Sequence, residues 1–381
     1  MAVKEVAAVG NERIYLDFNA TTPLALEVAA AMAEALTEPF GNPSSGHWAG
    51  RPARQAVESA RAQVAGLLQC RTDEIVFTGG GSESNNQAIK GVFYSRGGPG
   101  AHIVTTQIEH PAVINPCRFL ERLGATVTFV PVDRFGCVDP DAVRKALTPR
   151  TILISVMHAN NEVGTIQPIP EISGIARERR ILFHTDAAQS AGKIATRVDE
   201  LGVDLLSVAG HKLYAPKGVG VLYVRKGVNL EPLIHGASHE SGRRAGTENV
   251  LFDIAIGKAC EVAQRWLGME AVRQLRDFFW ESLQQRFGQR VVLNGHPTER
   301  LPNTLNVSFV GRVGSEILDK AKNVAASTGS ACHSGSMELS PVLRAMGAPP
   351  EIGMGAIRFS LGRTTTREEI EQTILRLDNC V

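Results

Sequence analysis

The sequence has no excess charge of either sign and no long apolar run, and each absence excludes a class of ligand. Its 381 residues carry 40 Lys+Arg against 39 Asp+Glu, a formal net charge of +1. No broad basic surface therefore argues for nucleic acid or an anionic membrane. No apolar stretch reaches the roughly 20 residues of a membrane-spanning helix. We expect a small-molecule ligand, no direct binding of nucleic acid and no membrane segment.

A signal peptide and paired cysteines are also missing. Residues 1–13 mix charged side chains with alanine and valine, and they contain neither the apolar core nor the cleavage site of a secretory leader. We therefore expect a cytoplasmic protein. The six cysteines form no CxxC pair, which argues against a disulfide framework and a structural zinc site. We expect no bound metal.

Strand-like and helix-like segments alternate through the first part of the chain. Apolar segments such as 102–106, 126–130 and 151–156 are each followed by a helical pattern. This alternation predicts an α/β fold in which a mostly parallel sheet lies between helices. The composition changes after residue 224, where a helical region from about 249 to 287 is followed by mixed strands and helices.

The length of the chain suggests two domains. We place a large α/β domain, with a seven-stranded sheet, at residues 15–255. We place a smaller α+β domain at residues 1–14 and 256–381.

Lys212 is the first candidate for a catalytic residue. It follows a short apolar strand at 203–208 and precedes a glycine-punctuated turn. Ligands of open α/β sheets bind at this carboxyl edge, where a shielded lysine can lose its proton and attack a carbonyl carbon. The alternative is an ordinary surface lysine, since lysines are rarely buried.

A glycine-rich turn provides a candidate phosphate site. The strand at 74–78 leads into Gly79-Gly-Gly81 and then into a helix that starts near Ser82. Free backbone N–H groups and the positive end of a helix dipole favour an anion at such a turn. The turn matches neither the Walker motif nor the dinucleotide motif, so the pattern indicates a single phosphate. A turn without any ligand is the alternative.

Polar clusters follow other strands of the predicted sheet, at 109–110, 158–162, 184–189 and 210–212. A histidine beside a strand is more often a structural hydrogen-bond partner than a catalyst. Four clusters and a phosphate turn on one sheet edge nevertheless indicate a ligand site.

Farther along the chain, Cys332 stands among small residues at 327–336, which suits a nucleophile that moves between a substrate and an acceptor.

Taken together, these motifs resemble the pyridoxal-phosphate (PLP) cysteine desulfurases of the class V aminotransferase superfamily. The resemblance covers nearly the whole chain and implies PLP fold type I. The Gly-Ser-Ala-Cys run at 329–332 is similar to the NifS/IscS-like group. The other matching runs are 16–23, 41–45, 77–86, 157–164, 184–189, 210–212, 244–248 and 358–362.

The resemblance implies a role for each residue around the cofactor ring. Lys212 would hold PLP covalently, and Asp186 would pair with the pyridine nitrogen so that the ring acts as an electron sink. His110 would stack on the ring. Gln189 would donate to the phenolic oxygen, and Asn160 would lie near that oxygen and the substrate carboxylate.

Further roles concern the phosphate and the substrate. Gly81, Ser82 and His211 would hold the phosphate, and Thr247 would reach it from a second subunit, which implies a homodimer. Arg358 would bind the carboxylate of the amino acid bidentately.

The implied reaction converts L-cysteine to L-alanine. Lys212 would take the proton from Cα, and the Cys332 thiolate would attack the substrate sulfur and become a persulfide. A protein such as an iron–sulfur scaffold would then accept the sulfur.

Some positions depart from the family pattern. Ala209 stands where many members have a phosphate-binding serine, so one hydrogen bond is either missing or supplied by Ser207. Pro111 follows His110 where a lysine is common. Because Cys332-His-Ser also occurs in selenocysteine lyases, L-selenocysteine is an alternative substrate. A class V aminotransferase with an incidental Cys332 and a catalytically silent scaffold are further alternatives.

Overall fold

Two β-sheets organise the chain in the computed structural model, which describes residues 13–328, 331–333 and 336–381, without the side chains of 331–337. The strands are β1 (Ile14–Tyr15), β2 (Ile75–Thr78), β3 (His102–Thr106), β4 (Thr126–Val130), β5 (Thr151–Ser155), β6 (Leu182–Asp186), β7 (Leu205–Ala209), β8 (Gly220–Val224), β9 (Val291–Asn294), β10 (Thr304–Phe309), β11 (Val324–Ala325), β12 (Ser327–Thr328), β13 (Ala331–His333), β14 (Ser336–Glu338) and β15 (Ala356–Ser360).

The α-helices lie between these strands. They are α1 (Leu26–Ala35), α2 (Gly50–Leu68), α3 (Gly81–Arg96), α4 (Pro111–Glu121), α5 (Pro140–Ala146), α6 (Ile169–Arg179), α7 (Val198–Leu201), α8 (Val250–Gln264), α9 (Glu270–Phe287), α10 (Gly314–Lys320), α11 (Pro341–Ala345), α12 (Pro350–Gly353) and α13 (Arg367–Asp378).

The larger sheet has seven strands in the order β2-β8-β7-β6-β5-β3-β4. Neighbours from β3 to β7 pair in parallel, whereas β8 runs antiparallel to both β7 and β2. The predicted α/β fold with a mostly parallel seven-stranded sheet is therefore confirmed. Strands β6, β7 and β8 are buried over their whole length, which is typical of a sheet covered by helices on both faces.

Alternation along the strands divides the apolar side chains between the two faces of this sheet. Phe77 joins a cluster with residues of α2, α6 and α8, whereas its neighbour Val76 joins one with residues of α3 and α4. Gly257 allows α8 to approach α2 closely, because a Cβ atom there would lie 2.6 Å from the Cα atom of Ala60.

The helical region predicted from about 249 to 287 is two helices, α8 and α9. Gly268 and Met269 separate them, with φ angles of 85° and 44° that are not helical. Helix α8 packs on α1 and α2. Phe279 of α9 contacts Phe359 of β15 edge to face, with ring centroids 5.0 Å apart. The break occurs because each helix buries its apolar face against a different sheet.

The second sheet is antiparallel and has the order β12-β15-β10-β9. Its core includes residues of α9 and α13. The start of the chain also lies here, because β1 pairs with β11 and Asp17 bridges to Ser360. The sequence analysis did not predict β9.

The segment around Cys332 contains a β-hairpin. Strand β13 pairs antiparallel with β14, and Cys332 stands opposite Met337 in the register. Gly329 and Ser330 of the Gly-Ser-Ala-Cys motif lie outside the described residues, and so does the side chain of Cys332.

Candidate active site

A cavity of about 740 Å³ opens at the carboxyl ends of β3, β5, β6 and β7, beside the glycine turn after β2. The strands bring their terminal polar residues together here because parallel strands end at the same sheet edge. Among its lining residues are eight that the sequence analysis singled out: Gly81, Ser82, His110, Asp186, Gln189, His211, Lys212 and Arg358.

Lys212 lies in a 3₁₀ turn directly after β7. Its Nζ atom donates to the backbone oxygen of Asn19 and, at 2.7 Å, to that of Ala20. Burial, and to a smaller extent the nearby Arg358 cation, lower the pKa of Lys212 to about 8 against the opposing effect of Asp17 and Asp186. A sizeable fraction of the amine is therefore neutral near physiological pH and able to act as a nucleophile.

Asp186 ends β6 and is buried. Its Oδ1 atom accepts from the backbone N–H of Ala188 at 2.9 Å, and its Oδ2 atom accepts from Asn85 Nδ2 at 2.7 Å. A buried carboxylate that already accepts from two donors is well placed to face a cationic ring nitrogen.

His110 caps helix α4, and its Nδ1 atom accepts from the backbone N–H of Ala112 at 3.1 Å. Burial lowers the pKa of His110; Asp186 opposes this shift, and Lys212 adds to it. The imidazole ring is therefore neutral near pH 7 and can contact an aromatic ring without a charge.

The glycine turn forms a cradle at the N-terminus of α3. Gly80 has a φ angle of 145°, which side-chain-bearing residues rarely adopt. A Cβ atom on Gly81 would lie 3.1 Å from the Cβ atom of Ala209. The sixteen-residue helix that begins here directs the positive end of its dipole at the cavity. The turn can therefore bind a phosphate through backbone N–H groups.

Ser207 does not replace the missing serine at position 209. Its hydroxyl group pairs with His184 Nε2 at 3.0 Å, and Ser207 is fully buried inside the sheet and is not among the residues that line the cavity. Because the side chain of Ala209 has no hydrogen-bonding group, position 209 adds no side-chain donor to the cradle.

The side chain of Asn160 is occupied by backbone groups of its own loop and of the segment after β3. Its Oδ1 atom accepts from the backbone N–H groups of Glu162 and Val163 at 2.8 and 3.0 Å, and its Nδ2 atom donates to the backbone oxygen of Ile108. Asn161 lines the cavity instead. Asn160 therefore does not line the cavity, and the role predicted for it stays a prediction.

Arg358 lies on β15 of the second sheet and lines the cavity. Its Nη2 atom donates to Asp17 Oδ1 at 2.8 Å, and its Nη1 atom donates to the backbone oxygen of Asn161 at 2.9 Å. Within the described part of the chain its buried Nε atom has no partner. Since a guanidinium group has five N–H groups, donors remain for an incoming carboxylate.

Thr247 does not line the cavity of its own chain. It is exposed in the segment before α8. The neighbouring Arg244 pairs with Glu83 of α3 at 2.9 Å, which ties this segment to the first turn of that helix.

Among the described residues there is no cluster of His, Cys, Asp and Glu suited to a metal ion. No helix in that part of the chain is long and apolar enough to cross a membrane.

Sequence reasoning missed several residues of the site. Asn19, Asn85 and Asn161 all line the cavity. Each belongs to a run that carried the family resemblance, so the motifs contained the signal. What the motifs could not indicate is which amide in each run faces the cavity.

These features together define a class of enzyme. A lysine with a lowered pKa, a buried acid, a neutral histidine and a phosphate cradle at one edge of an α/β sheet fit PLP, and the fold is PLP fold type I. The chain belongs to the aminotransferase class-V family, whose model matches residues 14–373. Members of this family that are cysteine desulfurases depend on PLP.

Comparison with known proteins narrows the class. The chain is 52% identical to "Cysteine desulfurase IscS" of Dictyoglomus turgidum over 97% of this chain and 94% of the relative. It is 47% identical to the protein of the same name from Methanosarcina thermophila, over 97% and 92%. Among solved structures, a "NIFS-LIKE PROTEIN" superposes with a TM-score of 0.90 at 36% identity, covering 96% of this chain and 98% of that one. "SspA in complex with cysteine" superposes with a TM-score of 0.82 at 38% identity, covering 91% and 98%.

Proposed function

We propose that this protein is a PLP-dependent cysteine desulfurase that converts L-cysteine to L-alanine and keeps the sulfur as a persulfide on Cys332. The observation that carries the proposal is that one cavity contains both Lys212, with its lowered pKa, and the buried Arg358. An amine nucleophile and a carboxylate-binding cation are what an amino-acid enzyme of this class requires. The names of the relatives and the cysteine bound to SspA support this choice of substrate.

The proposed roles around the cofactor ring follow from the contacts of each side chain. PLP supplies an electron sink for the negative charge that develops at the substrate Cα atom. Lys212 would hold the cofactor covalently, Asp186 would keep the pyridine nitrogen protonated, and His110 would cover the ring. Gln189 would donate to the phenolic oxygen.

The phosphate is assigned to the cradle at α3. Gly81 and Ser82 would donate from the first turn of the helix. His211 is placed nearby, with its Nδ1 atom 3.2 Å from Thr21 Oγ1. Burial lowers the pKa of His211 to about 4, with Lys212 and Lys217 adding to the shift. His211 therefore acts as a neutral donor.

The substrate carboxylate is assigned to Arg358 and Asn161. The hydrogen bond to Asp17 fixes the orientation of the Arg358 guanidinium group, so its remaining N–H groups are available to a carboxylate. A planar guanidinium group binds a carboxylate through two parallel hydrogen bonds. Asn161 replaces Asn160 in this assignment because it lines the cavity.

The sulfur transfer uses Lys212 and Cys332. Once the amine of the substrate has displaced it from the cofactor, the free Lys212 amine would take the proton from Cα. The Cys332 thiolate then attacks the substrate sulfur, so that an S–S bond forms and the C–S bond breaks. The electron pair of that bond would remain with Cβ, which takes up a proton, and Lys212 would return a proton to Cα. The products are alanine and a persulfide on Cys332.

The oligomeric state, the sulfur acceptor, the location and the domains of the protein are also part of the proposal. A homodimer would allow Thr247, which is exposed on its own chain, to reach the phosphate of the partner's cofactor. A protein such as an iron–sulfur scaffold would accept the sulfur, and a cytoplasmic location stays a prediction. The boundary predicted after residue 255 falls inside α8. Because α8 packs on α1 and α2, we propose a large domain of residues 15–264 and a smaller one of residues 13–14 and 265–381.

The decisive experiment compares L-cysteine and L-selenocysteine as substrates of the purified protein. Alanine, sulfide and selenide are followed under reducing conditions, which release sulfide from the persulfide. We expect alanine and sulfide in equal amounts from cysteine. Turnover of selenocysteine alone would identify a selenocysteine lyase, and amino transfer that depends on a keto acid would identify an aminotransferase.

A further inference from the structure

A second lysine is buried beside the cavity, and the proposed reaction gives it no role. Lys193 is only 5% exposed. Burial lowers its pKa to about 7, and the neighbouring cations Lys212, Arg358 and Arg363 contribute to the shift. Among the described residues its Nζ atom forms no salt bridge and bonds instead to two amide oxygens. Burying an amine is costly unless hydrogen bonds compensate, so these two contacts explain how the lysine is tolerated.

The two acceptors of Lys193 belong to residues that line the cavity. Its Nζ atom lies 3.1 Å from Gln189 Oε1 and 3.3 Å from Asn19 Oδ1. Asn19 is itself held tightly, because its Oδ1 atom accepts from Asn303 Nδ2 and its Nδ2 atom donates to Thr304 Oγ1 at 2.8 Å. Its backbone oxygen accepts from Lys212 Nζ. Lys193 therefore contacts both Gln189 and Asn19, and Asn19 is also the residue whose backbone oxygen accepts from Lys212.

Lys193 determines which end of the Gln189 amide points toward it. An ammonium group has three donors and no acceptor, and a neutral amine still has two N–H groups for two oxygens. Rotating the Gln189 amide by 180° would bring its NH₂ group against the N–H groups of Lys193. The oxygen atom of Gln189 therefore faces Lys193, and its Nε2 atom faces the other way and donates to the backbone oxygen of Asn19 at 3.0 Å.

We propose that Lys193 is a positioning residue that keeps Gln189 Nε2, rather than Oε1, available to the phenolic oxygen of the cofactor. The inference rests on the proposed function, in which Gln189 donates to that oxygen. An amide in the opposite orientation would present an oxygen atom to another oxygen and would repel it. The role is indirect: Lys193 acts through Gln189 and touches neither substrate nor cofactor.

The test measures the pH midpoint of the visible absorbance band of the bound cofactor, without cysteine. A hydrogen-bond donor to the phenolic oxygen stabilises the deprotonated form of the cofactor and therefore lowers the pH midpoint of the absorbance band. Lys193→Met removes every donor, and we expect the midpoint to rise by about one pH unit, the equivalent of one hydrogen bond. Lys193→Gln keeps an N–H donor without the charge and is expected to stay near the wild type.

A double-mutant cycle separates positioning from a direct effect of charge. In the Gln189→Ala background, where no amide remains to be oriented, Lys193→Met should cause little further shift. An equal shift in both backgrounds would overturn the proposal, because Lys193 would then act through its charge. A lower melting temperature with an unchanged midpoint would also overturn it, because the role would be structural.

A second variant, Lys193→Asn, allows the same test if Lys193→Met does not fold. Lys193→Asn is polar but too short to reach Gln189, and we expect it to raise the midpoint as Lys193→Met does. A midpoint unchanged in Lys193→Asn would contradict the proposal. The outcome is independent of the desulfurase assay: a wild-type protein with a normal band that makes no alanine from cysteine would contradict the proposed function alone.

Discussion

Asn85 donates from Nδ2 to Asp186 Oδ2 at 2.7 Å, and both side chains are buried. This bond joins the first turns of α3, which form the phosphate cradle, to the end of β6, which carries the acid. The Oδ1 atom of Asn85 has no partner among the described residues. Among the described residues, Asp186 is therefore the partner of the Asn85 side chain, and this hydrogen bond links the two halves of the proposed cofactor site.

Replacing Asn85 by Leu should weaken both the fold and the site. A hydrogen bond to a charged group contributes about 1.5–3 kcal/mol, and we expect a comparable loss in the free energy of unfolding, measured in urea. Alanine formation should fall about tenfold or more, since 1.36 kcal/mol corresponds to tenfold in rate. The control is Asn86→Leu, which removes a hydrogen bond to the backbone oxygen of Ser82 at a less buried position. Equal effects of the two variants would show that the bond to Asp186 has no special role.

The rate at which the apoprotein attaches PLP should depend on the charge of Lys212. The protonated amine has no lone pair, so attachment requires the neutral form. Because the pKa is lowered to about 8, the rate should level off above pH 8 and fall about tenfold for each pH unit well below it. Stopped-flow absorbance measures this directly. A midpoint near the ordinary lysine value of 10.5 would contradict the burial argument.

Cys332→Ser should separate cofactor binding from sulfur transfer. The variant keeps the cavity residues, so the visible band should be unchanged, while alanine formation from cysteine should disappear because a hydroxyl group is a poor nucleophile toward sulfur. Mass spectrometry should detect a persulfide on the wild type alone. Cys380→Ser is the control, since that thiol packs against the helices of the second sheet. Desulfuration retained in Cys332→Ser would exclude the persulfide role.

Thr247→Ala tests the proposed dimer. Loss of a hydrogen bond to the phosphate should weaken PLP binding about tenfold or more, measured at limiting cofactor. Mixing Thr247→Ala with Lys212→Ala subunits should then restore activity, because each mixed dimer contains one site with Lys212 from one chain and Thr247 from the other. No recovery after mixing, with subunit exchange verified, would show that Thr247 serves the site of its own chain.

The sheet and the edge that carries the site could be predicted from the sequence because the signals are local. Buried parallel strands are nearly continuous apolar runs, and the polar residues after them mark the carboxyl ends. The cradle was predictable for the same reason, since strand, glycine turn and helix are contiguous. The short strand β9 was not predicted, and the break at Gly268 and Met269 was read as continuous helix, because each depends on packing against the second sheet.

The sequence by itself determined the family, the α/β fold and most candidates of the site, because the motifs are short runs whose chemistry is set by adjacent residues. Only the tertiary structure decided which asparagines line the cavity. Asn161 rather than Asn160 lines the cavity, and Lys193 meets Gln189 and Asn19 although the latter is far away in the chain. Such contacts depend on side-chain direction and on the hydrogen bonds left over after local turns are satisfied, and these are settled only when distant segments pack together.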